Sequence, residues 1–350
     1  MSDFLLYGAT GFVGEVIARR AVKSGLKPLL GGRNHARLEQ LGRELHQDFM
    51  AFSLDDPVKM QTAFSAVPLV LNCAGPFMNT YQPMLDFCLR TNTHYLDITG
   101  ELPVFQGLAA SGLEAEEKGI MLMPGVGFDV VPTDCLAVFL KNKLPTATHL
   151  TIAFKIEGPG GLPPGTQRTA IELIPFGNRV RRDGELVKPR KTIKTKEIDF
   201  GSGPVTATRI TWGDVFTAYY STEIPNIENY LVLPKRLHAK MKMLDRWRWL
   251  FKFQFVRDYL KSKVKPGPQA QTRTQTHTSV WGEVEDPEKN KISARLHGPE
   301  PGVEWTAETA LGAVRKVLLG NFIPGFQTPG KVFGADFVLE TEGVTREYLL

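Results

Sequence analysis

Three glycines near the start of the chain are spaced to hold a phosphate. Gly8, Gly11 and Gly14 occur in the run Gly8-Ala-Thr-Gly-Phe-Val-Gly14, directly after the apolar tetrad Phe4–Tyr7. Beyond them Val13, Val16, Ile17 and Ala21 recur at helical spacing, and Gly25 stands where a C-terminal cap belongs. The pattern is strand, glycine turn, helix. Such a turn lets backbone approach a pyrophosphate, while the unpaired N–H groups and positive end of the helix face its negative charge. Gly8, Thr10, Gly11, Phe12, Val13 and Gly14 are therefore the expected contacts. The spacing departs by one residue from the strict GxGxxG, and the competing reading is a tight turn with no ligand.

A second position reports which dinucleotide is held. Folds that bind NAD carry an Asp or Glu at the end of the second strand, bonded to the ribose 2′-hydroxyl. Here that place reads Gly32-Arg33-Asn34, with His35 and Arg37 close behind and no acid. A carboxylate would repel a 2′-phosphate, whereas arginine offers it a charged planar fork. The expected cofactor is NADP(H), held by Arg33, Asn34 and Arg37, although Arg37 could equally be a surface residue of the following helix. Asp55 is expected beside the adenine. Asn72, Cys73, Ala74, Gly75 and Pro76, after the fourth strand, should line the ribose and pyrophosphate.

The elements that must position these residues alternate. Strands are expected at 4–7, 28–30, 49–54, 68–73, 94–98 and 120–123, and helices at about 13–24, 35–47, 57–65, 82–90 and 107–118. Strand–helix alternation through 124 residues predicts a doubly wound parallel sheet, an α/β fold of the Rossmann kind. A chain of 350 residues exceeds one ordinary domain, so a Rossmann domain over 1–130 should precede an α+β substrate and dimerisation domain over 131–305. A C-terminal helix and tail over 306–350 would return towards the first domain.

Composition narrows the rest. With 42% hydrophobic and 23% charged residues the chain reads as globular, neither disordered nor fibrous. Three cysteines without a CxxC suit a reducing compartment. The N-terminus has no signal-like segment and no apolar run reaches spanning length, so a cytoplasmic location without stable membrane insertion is expected. Residues 179–265 carry twenty Lys and Arg against nine acids, a charge that could draw an anionic partner, but no nucleic-acid-binding motif accompanies it. The scattered histidines predict no metal site.

Taken together these landmarks resemble the saccharopine dehydrogenase-like oxidoreductases, including their trans-acting enoyl reductase branch. The resemblance rests on Gly8–Gly14, Gly32-Arg33, Asn72-Cys-Ala-Gly-Pro-Phe77 with Tyr81, His94-Tyr-Leu-Asp-Ile-Thr-Gly-Glu101 and Pro124-Gly-Val-Gly-Phe-Asp-Val-Val-Pro-Thr-Asp134. Gly165-Thr166, Pro266-Gly-Pro268, Gly325-Phe-Gln-Thr-Pro329 and Phe333-Gly334 extend it. It implies an NADP-binding Rossmann domain, a C-terminal α+β domain and a last helix at Thr306–Leu319 near the nucleotide domain. It also implies hydride transfer between NADPH and a C=C, C=N or C=O group of a small or acyl substrate; an acyl chain or an acidic carrier protein would suit the aromatic and basic segment Arg246–Phe255 if that segment makes a contact. A homodimer is a further candidate partner.

Hydride transfer needs a proton donor and a group that stabilises developing charge. Cys73, Tyr81, Tyr95, Asp97, Glu101 and Asp129 come from the strand ends that should face the nicotinamide. Tyr81 is the expected donor, with Asp97 or Glu101 orienting the substrate; each also has a purely structural alternative. Tyr259-Leu-Lys-Ser-Lys263 mimics the YxxxK pair of short-chain dehydrogenases but lies far from the required place. Gly325–Lys331 mimics a P-loop but has Val332 where a hydroxyl is needed. The loop Gly158–Gly165 reads as a lid or a connector. The period-two aromatics of Arg246–Phe255 read as a core strand or buried helix ahead of a membrane contact. A non-catalytic NADP sensor or scaffold is the alternative function.

Overall fold

The computed structural model describes residues 2–159, 163–191, 193–233, 243, 247–264, 267 and 269–349. Parts of three sequence features lie outside the described residues: 160–162 of the glycine–proline loop, Arg246 of the aromatic segment, and Pro266 and Pro268. The chain divides into two compact units, one of 1–131 with 302–333 and one of 132–301 with 334–350.

The first unit is built on β1 (Phe4–Tyr7), β2 (Pro28–Gly32), β3 (Phe49–Ala51), β4 (Leu69–Asn72), β5 (His94–Asp97) and β6 (Met121–Met123). β1, β2, β4 and β6 are buried at every residue, as strands covered on both faces must be. Between them run α1 (Phe12–Lys23), α2 (His35–Leu45), α3 (Pro57–Ser65), α4 (Tyr81–Thr91), α5 (Leu102–Ala110) and α6 (Gly112–Glu117). α1 turns Gly14, Ile17, Ala18 and Ala21 into the core and is followed by Gly25 at φ +86°, the left-handed stop that glycine permits. The strands are parallel in the order β3-β2-β1-β4-β5-β6. Strand order therefore reverses between β1 and β4, and a crevice opens there beyond their carboxyl ends.

Two details differ from the sequence expectation. The single helix expected at 107–118 is two, and the first starts at Leu102, where Pro103 fits the first turn because its missing N–H needs no partner there. The sheet also gains a seventh strand, Gly325–Phe326, parallel to β6. It arrives after the helix Thr306–Leu318, which packs on α1. Arg20 of α1 pairs with Glu308 at 2.6 Å and with Glu304, and Thr306 accepts a hydrogen bond from the Phe128 amide at 3.2 Å.

The second unit holds a mixed sheet. α7 (Val131–Lys143) leads to β7 (His149–Glu157), followed by α8 (Pro164–Leu173), β8 (Val180–Arg182), β9 (Glu185–Val187), β10 (Thr195–Asp199) and β11 (Pro204–Ile210). Then come α9 (Asp214–Thr222), β12 (Asn226–Val232), α10 (Gln254–Ser262), β13 (His277–Glu285) and β14 (Lys291–Gly298). The main path runs β10-β11-β12-β7-β13-β14 and ends at Thr345–Leu349. α7 lies on one face so closely that a Cβ on Gly282 of β13 would meet Leu140 at 2.7 Å. The tail expected to return to the first unit is thus shared: Gly334–Leu350 belongs to the second, because Thr345–Leu349 pairs antiparallel with β14.

The Pro132-Thr133-Asp134 landmark fastens this second unit. Thr133 donates to the buried Asp214 at 2.7 Å, Asn229 of β12 donates to the same carboxyl at 2.9 Å, and Ser221 donates to Asp134. Among the described residues no helix is long and apolar enough to cross a membrane.

Candidate cofactor and catalytic site

At the crevice of the first unit the backbone is bare. A Cβ on Gly14 would stand 2.1 Å from the carbonyl oxygen of Gly8, and one on Gly8, at φ +88°, would meet the carbonyl carbon of Cys73 at 2.8 Å. The turns after β1 and β4 therefore touch with no side chain between them, at the point where strand order reverses. Gly11 is the N-cap of α1 and supplies no side-chain cap, so no cap side chain stands between the positive end of the helix and an anion. Gly11 N–H itself donates to Gly8 O at 2.9 Å, and Gly8 and Ala9 N–H donate to Gly31 O. This cradle fits a pyrophosphate. Thr10 and Val13 are half-buried beside it and Phe12 is exposed.

Arg33 is exposed just past β2, where a 2′-phosphate would lie. Tyr7 marks its neighbourhood: burial pushes this phenol up to about 12, while Arg33 pulls it down and Asp55 pushes it further up. Arg33 and Asp55 therefore converge near one hydroxyl, which donates to Phe52 O at 3.2 Å. Asn34 caps α2 by accepting from Arg37 N at 3.1 Å, and the Arg37 guanidinium lies 3.8 Å from Glu15 of α1. Asn34 is thus engaged in the cap, while Arg33 and Arg37 are both exposed.

The segment after β4 is held from three sides. Asn72 accepts from Ala74 N at 2.9 Å and donates to Thr80 Oγ1 at 3.1 Å; Thr80 in turn donates to Ala74 O. Glu101, fully buried, takes the amides of Phe77 and Met78 on its two oxygens at 2.9 and 2.8 Å. These bonds fix Cys73–Pro76 and the entry to α4, whose first residue is Tyr81. The Tyr81 ring lies against α5, where a Cβ on Gly107 would be 2.5 Å from its hydroxyl. Burial, reinforced by the nearby Asp97, pushes the Cys73 thiol far up, so at neutral pH it is protonated and a poor nucleophile.

Asp97 is fully buried and ties two loops together. Its Oδ1 accepts from Thr99 N and Gly125 N, both at 2.9 Å, and its Oδ2 from the Tyr95 hydroxyl at 2.7 Å. Burial pushes its carboxyl up to about 7; these hydrogen bonds pull it down and Glu101 raises it further. Asp129, after β6, is likewise raised to about 7 by burial and then by Glu101, and its carboxylate lies against Gly100. The structure thus gathers Asp97, Glu101 and Asp129 at the ends of β5 and β6. Tyr7 and Thr80 were not singled out from sequence as site residues. Asn72, expected beside the ribose and pyrophosphate, closes the buried run Leu69-Val-Leu-Asn72.

Known proteins resemble this chain in sequence and in fold. Residues 4–123 match the family model of the saccharopine dehydrogenase NADP-binding domain. The first domain is similar to that NADP-binding domain in sequence. The strands β1 to β6, the glycine cradle and Arg33 all fall inside the matched residues. A saccharopine dehydrogenase-like oxidoreductase of Mus musculus is 27% identical over 220 residues, covering 55% of this chain and 51% of the relative. A trans-acting enoyl reductase of Mycobacterium bovis is 29% identical over 140 residues, covering 38% and 34%. The chain spans about half or less of the length of these curated relatives. In fold the likeness extends along the chain: saccharopine dehydrogenase of Saccharomyces cerevisiae superposes with a TM-score of 0.67 over 100% of both chains, at 12% identity. The chain is saccharopine dehydrogenase-like in the sequence of its NADP-binding domain and in fold over its whole length.

Proposed function

We propose that the chain is an NADPH-dependent oxidoreductase acting on a C=C, C=N or C=O group of a small or acyl substrate. The observation that carries this reading is the bare-backbone cradle of Gly8, Gly11 and Gly14 against Cys73, with Arg33 at the ribose end. When bound, NADP(H) supplies or accepts the hydride. The first turn of α1 holds the pyrophosphate, and Arg33 opposes the charge of the 2′-phosphate. Tyr81 holds the proton that the substrate atom next to the reduced carbon receives. Glu101 acts through others: by gripping the amides of residues 77 and 78 it sets the position of Cys73–Pro76 and of Tyr81. Asp97 does the same for the loops after β5 and β6. The relatives named as oxidoreductases and as an enoyl reductase support this class of reaction.

The test is a fluorescence titration of the purified chain with NADPH and with NADH, beside Arg33→Ala. An exposed guanidinium facing a phosphate at about 4 Å contributes about 1.5–3 kcal/mol, so the variant should bind NADPH roughly 10- to 100-fold more weakly and NADH as before. Equal loss for both nucleotides would remove Arg33 from the phosphate. Binding of neither by the parent chain would overturn the function.

A further inference from the structure

One stretch of the second unit exposes what a folded chain ordinarily hides. The period-two aromatics expected as a core strand or buried helix instead form a short 3-10 helix, Arg248–Lys252, followed by α10. The inward side is well fixed. Phe251 is buried, Val256 and Leu260 are half-buried, and Glu172 of α8 takes Arg257 at 2.9 Å and Lys261. Arg257 also donates to the carbonyls of Phe251 and Lys252 at 2.7 and 2.9 Å, clamping the 3-10 turn to the helix. With that side committed, the other rings face out. Trp249 is 54% exposed, Phe255 72% and Tyr259 65%, with Trp247 and Phe253 nearly half exposed.

Three of these rings form a contiguous row, and Tyr259 lies one helical turn beyond Phe255 on α10. Trp249 and Phe253 stand 6.4 Å apart between centroids, and Phe253 and Phe255 5.8 Å. Lys263 lies over Tyr259 at 5.6 Å, and Lys252 is exposed between the rings. In sequence, residues 235–265 carry eleven Lys and Arg against two acids. Single exposed apolar residues need no explanation, but a joined row of rings does. Two features choose the occupant. An acidic protein partner would answer the cations yet leave the rings wet, and a buried apolar interface would exclude the lysines. An anionic headgroup layer accommodates both, because Trp and Tyr settle at the boundary of chain and headgroup while each nearby Lys or Arg gains about 1 kcal/mol from the surface charge.

We infer that this face docks on an anionic bilayer surface, with Trp249, Phe253, Phe255 and Tyr259 seated at headgroup depth and Lys252 and Lys263 over the lipid charge. The contact is peripheral, since α10 has nine residues, far too few to span.

The full chain would be co-sedimented with mixed phosphatidylcholine–phosphatidylserine vesicles and with phosphatidylcholine alone, at low and high salt. Retention on the mixed vesicles at low salt is expected, falling at least about tenfold on neutral vesicles, at high salt and in Lys252→Glu/Lys263→Glu. A Trp249→Ala/Phe255→Ala/Tyr259→Ala variant should lose at least as much while keeping the parent's urea midpoint, because its rings are exposed. No retention at low salt would overturn the inference, as would a triple variant that is retained like the parent. A lipid-free dimer that the triple variant dissolves would assign the face to a second copy instead.

Discussion

Adding one methyl group at Gly14 tests the cradle directly. The new Cβ of Gly14→Ala would stand 2.1 Å from Gly8 O, 2.9 Å from Gly8 C and 3.3 Å from the Cα of Ala9. All three are backbone atoms, so no rotamer can relieve the overlap. Gly8 or the start of α1 must retreat by about 1 Å or more to restore ordinary contact. That movement strains the Gly11 N–H to Gly8 O bond of 2.9 Å, a loss of about 1 kcal/mol, and overpacking adds about 1–3 kcal/mol. Alanine's better helix propensity offsets up to about 1 kcal/mol of this. The net expectation is a destabilisation of about 1–3 kcal/mol in urea unfolding with an unchanged m value. NADPH binding should weaken at least about tenfold, the worth of one displaced charge-assisted hydrogen bond. Gly165→Ala in α8 is the control, because its Cβ meets nothing within 4 Å; its stability should hold or rise by up to about 0.5 kcal/mol. A Gly14→Ala chain as stable as the parent, with NADPH affinity within about twofold, would refute the close-approach argument.

Three further outcomes follow from the site. Tyr81→Phe should lower kcat at least about a hundredfold with little change in KM if the hydroxyl delivers the proton, and unchanged turnover would end that assignment. Burial raises Asp97 in the folded chain to about 7 from the ordinary carboxyl value of 3.8, so the folded state holds a proton that the unfolded state has released between those pH values. Its contribution to stability is therefore present at low pH and declines as pH rises from about 4 to 7, by up to about 4 kcal/mol. Asp97→Asn should accordingly gain on the parent as pH rises across that window, read from urea midpoints at pH 5 and pH 8; a constant difference would contradict the burial argument. Arg20→Ala, which removes the ion pairs to Glu304 and Glu308, should cost about 1 kcal/mol and free the helix Thr306–Leu318 to exchange amide hydrogens faster.

Much of the first unit was legible because its signals are local. The apolar tetrad Phe4–Tyr7, the glycines and Gly25 each act on their immediate neighbours, and the structure places β1 and α1 where they indicate. The strand Gly325–Phe326 was not legible: two residues have no periodicity, and their pairing with β6 depends on chain two hundred residues away. The aromatic segment misled for a different reason. Its period of two suits a strand only where both neighbours offer a ladder, and here Arg257 and Glu172 hold a 3-10 turn and helix instead. In the site, the glycines and Arg33 were visible by type and spacing. The grip of Glu101 on residues 77 and 78 was not, since nothing in a sequence says that a glutamate faces two amides.

The late arrival of Gly325–Phe326 bears on how this molecule is made. A ribosome releases β1 to β6 and their helices first, yet the outer edge of β6 finds its partner only after residues 132–301 of the second unit have been synthesised. Until then that edge offers unpaired N–H and C=O groups to any passing strand, and the contact that covers it is among the slowest kind to form. The first unit is thus completed only late in synthesis, and a nascent chain arrested before residue 302 should show β6 amides that exchange with solvent while those of β1 and β4 are already protected.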